Sequence, residues 1–179
     1  MTSGAVTRPD DRELAAAGLG LTVEGPVATL VLDRPEVRNA QTPTMWRMLA
    51  AVGEALLADD TVRVVVVRGA GSTFSAGLDR AMLDPAGAGE GVETVAELLA
   101  LDDGAMSAVI DDYQRGFTWL RDPRILSVAA VRGYAVGAGF QLALSCDLRV
   151  LAEDAQLCMK ESALGLAPDL TGTKPLAEA

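Results

Sequence analysis

The 179-residue sequence contains no histidine. That removes Ser-His and Cys-His nucleophile pairs, and every histidine-ligated metal site, from the chemistry open to it. Cysteine is nearly as scarce: Cys146 and Cys158 are the only two. Two cysteines make no disulfide framework, and neither has the C-x-x-C partner of a zinc cluster, so the pattern fits a reducing, cytoplasmic setting. Positive charge is also thin, with 15 Lys and Arg against 25 Asp and Glu and a net charge of -10. The basic residues are scattered, and phosphate backbones or anionic bilayers would be repelled, so no nucleic-acid or membrane partner is expected. Long apolar runs are missing too. Val64 to Val67 and Ile125 to Val131 fall far short of the roughly 20 residues a membrane-spanning helix needs. The opening "MTSGAVTRPDDRELAAAG" lacks the basic-then-apolar layout of a secretory signal.

What is present suffices for one globular unit, since half the residues are hydrophobic and the length supports a sizeable core. Residues 1–18 read as a loosely held polar tail and 19–179 as the core domain. Leu21 to Glu24 and Val27 to Leu32 flank Gly25-Pro26, which predicts a hairpin. Thr42-Pro43 reads as an N-cap followed by proline at the first helical position, with Met45, Met48, Leu49, Val52 and Leu56 at helical spacing. "VRVVVVRG", Val62 to Gly69, is β-branched without alternation, the pattern of a strand buried on both faces of a parallel sheet. Ile125 to Val131 predicts a second such strand, and Leu148 to Leu151 and Gln156 to Met159 two short ones. Asp84 to Glu93 is glycine-rich and reads as flexible; Val92 to Leu120 reads as helical. Helices alternating with buried strands predict an α/β layered fold.

Two glycine-rich junctions carry the chemistry. "RGYAVGAGFQLALSCDLRV", Arg132 to Val150, resembles a phosphate loop, but the third glycine of G-x-G-x-x-G falls at Leu142, and no Lys-Ser/Thr follows. A dinucleotide site is therefore disfavoured. Small residues at a helix N-terminus still present unpaired N–H groups to negative charge. The strand ending at Arg68 leads to a second such turn, "TFSAGLDRAML". Two turns after neighbouring parallel strands can aim two N–H groups at one point, the geometry of an oxyanion hole. Either turn alone is better explained as an ordinary glycine turn for strand-to-helix packing.

"VEGPVATLVLDRPEVRNA", "VVVVRGAGSTFSAGLDR", "ILSVAAVRGYAVGAGFQLALSCDLRV" and "AQLCMKESALGLAPDLTGT" together resemble the crotonase, or enoyl-CoA hydratase/isomerase, superfamily over Leu21 to Leu176. The resemblance implies a crotonase-like spiral of repeated ββα units, assembly as a homotrimer or hexamer, and acyl-CoA thioester substrates. Coenzyme A would be part of the substrate, with no separate cofactor. It assigns the oxyanion donors to the backbone N–H groups of Ala76 and Ala138, and substrate contacts to Arg38, Ser75, Gly77, Leu78, Asp79, Gly137 and Asp169. Arg38 and Asn39 match a loop that helps hold the nucleotide end of CoA, and Asp147 matches a buried structural turn. Asp169 reads equally well as a turn residue. Family members usually continue past the equivalent of Ala179 with helices that cover the acyl pocket, a part this sequence lacks.

The acid/base positions depart from a hydratase. Two glutamates are common there; here the first position is Gln141 and the second Glu161. An amide orients water but exchanges no proton with it at neutral pH. One carboxylate suffices to shuttle a proton between two carbons, so double-bond isomerisation is favoured over hydration. Taken without the resemblance, Glu161 beside Lys160 reads as a solvated surface pair. A catalytically impaired acyl-CoA binder or oligomer scaffold is the alternative.

Overall fold

The computed structural model describes residues 7–84 and 93–178. Most of the glycine-rich stretch, residues 85–92, and the first six residues of the expected tail lie outside them. The rest of that tail is ordered. Helix α1 (Asp11–Ala16) opens with a reciprocal capping box between Asp10 and Glu13. Leu14 and Ala17 are buried against the sheet. The polar composition hid two apolar side chains and a cap that together fix the segment.

Strands β1 (Leu19–Glu24) and β2 (Val27–Leu32) form the expected hairpin, and Gly25 supplies the positive φ, 57°, that its two-residue turn asks for. Helix α2 (Pro43–Ala58) starts where the sequence predicts, the Thr42 hydroxyl accepting from the Met45 N–H at 3.2 Å. Strand β3 (Val64–Gly69) follows, parallel to β2. The segment read as helical divides into α3 (Val95–Leu99) and α4 (Asp103–Thr118), because Thr94 and Asp102 each cap a separate helix. Then come β4 (Leu126–Val131), β5 (Tyr134–Val136), helix α5 (Ala138–Ser145), β6 (Leu148–Leu151), β7 (Gln156–Cys158) and a short terminal helix α6 (Thr173–Glu178).

The main sheet has the order β1-β2-β3-β4-β6, all parallel except β1. A second, smaller sheet pairs β5 with β7, and Ser75 bridges to Ala135 beside it. β1-β2-α2 and β4-β5-α5 are thus two ββα units in chain order, with β3, α3 and α4 between them. Expected burial of β3 on both faces is corrected: Val65 and Val67 are fully buried, whereas Val64 and Val66 are half-buried. One face of the sheet meets the helices and the other is covered only in part.

The core is dense where α2 crosses α4. Trp46 packs against Tyr113 and Phe117 with ring centroids 4.9 and 6.3 Å apart. Gly53 and Gly116 permit the approach, since a Cβ on either would intrude on the Trp119 ring or the Trp46 carbonyl. Among the described residues no helix is long and apolar enough to cross a membrane.

Candidate active site

The two glycine-rich turns meet. The Ser75 N–H donates to the Tyr134 carbonyl at 2.9 Å, and the Val136 N–H donates to the Ser75 carbonyl at 3.0 Å, so the "SAGLD" turn lies along β5. Gly77, at φ 89°, has no Cβ to stand against the Val136 carbonyl, and one placed there would come within 3.4 Å of the Ala138 nitrogen. Buried Ser75 pins this arrangement. Its hydroxyl donates to the Asn39 carbonyl at 2.7 Å and accepts from Gln41 Nε2 at 3.1 Å and the Gly77 N–H at 3.2 Å. Gln41 is itself held by Trp46 Nε1, which donates to its Oε1 at 2.8 Å.

The N–H groups of this turn have different fates. That of Ala76 donates to the Arg38 carbonyl at 2.9 Å, and that of Gly77 is taken by Ser75. The assignment of an oxyanion donor to Ala76 is therefore corrected, because its hydrogen is already committed across the loop. Leu78 is the next residue, and among the described residues no acceptor takes its N–H. Ala138 opens α5 and its N–H is equally unclaimed, as helix geometry dictates. Gly137 before it adopts φ 52° and ψ -122°, a backbone that suits glycine and turns the helix N-terminus toward the cavity.

That cavity, of about 370 Å³, is lined by Ala76, Leu78, Gly137, Ala138, Gln141, Glu161 and Asp169 at one end, and by Trp46, Met82, Leu98, Met106, Ile110 and Tyr113 along its apolar walls. Larger hollows of about 530 and 600 Å³ lie elsewhere, and neither is lined by Glu161, Leu78 or Ala138. Glu161 opens a 3₁₀ helix (Glu161–Leu164) and is buried, not a solvated partner of Lys160. Its Oε1 accepts from Gln141 Nε2 at 2.6 Å. Its Oε2, also buried, has no partner among the described residues. An unpaired buried carboxylate oxygen is costly to keep, and Glu161 is one of the residues lining the cavity.

The other expected residues divide. Asp169 joins Glu161 in the cavity, and loss of hydration pushes its carboxyl up, with the charge of Glu161 adding to the effect. Asp79 does not line this cavity; it caps the Ala81 N–H at 3.1 Å and pairs with Arg34 at 2.8 Å. Ser75 and Asn39 are buried struts, Asn39 donating to the carbonyls of Ala70 and Thr73. Arg38 is exposed at φ 56° and contributes its carbonyl to Ala76. Asp147 is exposed and not buried, yet structural, accepting from the Ser127 N–H at 2.8 Å and hydroxyl at 3.0 Å. No local pattern singles out Gly172, whose N–H donates to Gln141 Oε1 at 2.9 Å. That bond spans 31 residues, and from Gly172 it takes only a main-chain N–H.

Residues 22–179 match the family described as enoyl-CoA hydratase/isomerase. Over 146 residues the chain is 35% identical to the mitochondrial Delta(3,5)-Delta(2,4)-dienoyl-CoA isomerase of Mus musculus, covering 78% of this chain and 41% of that protein. It is 36% identical over 148 residues to a Mycobacterium tuberculosis protein assigned as an enoyl-CoA hydratase, covering 83% and 52%. Among solved structures, a Thermobifida fusca YX protein assigned as an enoyl-CoA hydratase, in complex with acetoacetyl-CoA, superposes with a TM-score of 0.88 at 56% identity. That match covers 96% of this chain and 65% of the other, so the chain spans from about two fifths to about two thirds of the length of these relatives. With paired glycine turns, a mostly parallel sheet and these matches in agreement, the chain belongs to the enoyl-CoA hydratase/isomerase (crotonase) family.

Proposed function

We propose that this site moves a double bond within an enoyl-CoA thioester. The unpartnered Oε2 of buried Glu161 carries this reading, because Glu161 lines a cavity that is also lined by Leu78 and Ala138, whose N–H groups no acceptor takes among the described residues. With a 3-enoyl-CoA, Oε2 takes a proton from C2. The electron pair moves into conjugation, places negative charge on the thioester oxygen and shifts the double bond to C2–C3 as the proton returns to C4. The N–H groups of Leu78 and Ala138 hold that oxygen; losing one such donor typically costs about 10² to 10³ in rate. Asp169, in the same cavity, supplies a second proton carrier for a longer conjugated acyl group, in keeping with the dienoyl-CoA isomerase named among the relatives. Gln141 exchanges no proton, which disfavours hydration.

Glu161→Gln keeps the shape and removes the base. Turnover of 3-enoyl-CoA to 2-enoyl-CoA is expected to fall by about 10² to 10⁴, followed by the absorbance of the conjugated product. Unchanged turnover rejects the assignment. Calorimetric binding of CoA thioesters by a wild-type chain that converts neither 2-enoyl- nor 3-enoyl-CoA would favour the alternative, a binder without activity.

A further inference from the structure

Gln141 is 1% exposed, and its side chain lies between a pure donor and a carboxylate. The Gly172 N–H can only donate, so the Gln141 atom facing it at 2.9 Å must be the carbonyl oxygen. The amide NH₂ is thereby turned to Glu161 Oε1, 2.6 Å away. Neither flip nor retreat is open to it. A Cβ on Gly172 would come 2.6 Å from Gln141 Cγ and 2.8 Å from Oε1, so the loop closes on this side chain with no slack. The backbone is held as well: the Gln141 N–H donates to the Gly137 carbonyl at 2.9 Å, and its carbonyl accepts from the Ser145 hydroxyl, also at 2.9 Å. Ser145 Oγ lies 3.0 Å from Thr171 Oγ1, which ties α5 to the loop that carries Gly172.

We propose that Gln141 is a positioning residue that occupies Oε1 of Glu161 and leaves Oε2 as the single atom for proton transfer, and that it does not serve to hold a water for addition. A carboxylate gripped at one oxygen cannot rotate to exchange its two oxygens, so every proton leaves and returns through the same atom. Both transfers then occur on one side of the acyl plane. The inference rests on Glu161 being the base.

The test has one arm that needs no turnover. In ¹⁵N-labelled protein, a charge-assisted bond of 2.6 Å is expected to move one side-chain amide proton downfield of the other glutamines. That resonance should vanish in Gln141→Met and return toward the ordinary position in Glu161→Gln. In the kinetic arm, Gln141→Met, and separately Gly172→Ala, which displaces the amide while Gln141 and Glu161 both stay in the sequence, should lower kcat on the order of 10²-fold with a much smaller change in KM. An ordinary amide position indifferent to Glu161 replacement, or wild-type kcat in both Gln141→Met and Gly172→Ala, overturns the proposal. A wild-type chain with the downfield resonance but no isomerase turnover overturns the reaction assignment alone and leaves the grip of Gln141 on Glu161 standing.

Discussion

Asp169 is exposed as a residue but lines the cavity, where partial loss of hydration and the charge of Glu161 both oppose ionisation of its carboxyl, an effect that solvent screens down to a small one. Its folded-state pKa therefore lies above the unfolded value of about 3.8. Between the two values the native state binds more protons than the unfolded chain, so stability falls as pH rises through that window. Asp169→Asn removes the penalty. The variant is expected to resist urea better than the parent at pH 7, with the advantage shrinking to nothing as pH drops below the unfolded value. An advantage that persists there would show that the charge of this carboxyl is not its source. At the same scale, Glu161, Gln141 and Ala138 were legible as side chains in a motif, whereas the choice between Ala76 and Leu78 was not. Which N–H is free depends on the carbonyl of Arg38, 38 residues upstream, and on the Ser75 hydroxyl. No local pattern carries that allegiance.

Helices and strands were readable where caps and periodicity act locally. Thr42-Pro43 marks the start of α2, Gly25-Pro26 the first hairpin, and the β-branched run after Val62 the strand β3. Helix α1 escaped notice because its apolar contribution is one leucine and one alanine, too little to register against a polar background. The crossing of α2 and α4 was equally hidden. Gly116 sits inside a 16-residue helix, where replacement by alanine should gain about 1 kcal/mol of helix propensity, yet its missing Cβ is where the Trp46 backbone lies. Backbone cannot yield as a side-chain tip can. Gly116→Ala is therefore expected to destabilise the protein by about 1–3 kcal/mol net, as overpacking does, in denaturant unfolding. A stabilised variant would mean that the helices have room to separate. Because Trp46 also lines the cavity and holds Gln41, such a shift would reach the reacting end through one ring.

Over the whole molecule, apolar side chains collect where β6 forms the edge of the main sheet. Leu148, Val150 and Leu151 are exposed there, with Leu126 of β4 and Leu157 of β7 exposed as well. An open strand edge with an apolar flank favours association. The chain is expected to self-associate at micromolar concentration, and Val150→Lys to weaken that association in sedimentation velocity; equal behaviour of the two would place the contact elsewhere. Assembly as trimers or pairs of trimers, implied by the resemblance, stays a proposal that the same measurement addresses. The cavity itself has a divided ancestry along the chain. Its reacting end comes from the turn at Ala76–Leu78, the start of α5 and the loop from Glu161 to Gly172, while much of its apolar wall comes from one contiguous stretch between Met82 and Tyr113. What the site does and what it accommodates are thus written in separable passages of the gene. Exchange of the second passage by recombination could retune the accepted ligand while the reacting groups are inherited unchanged.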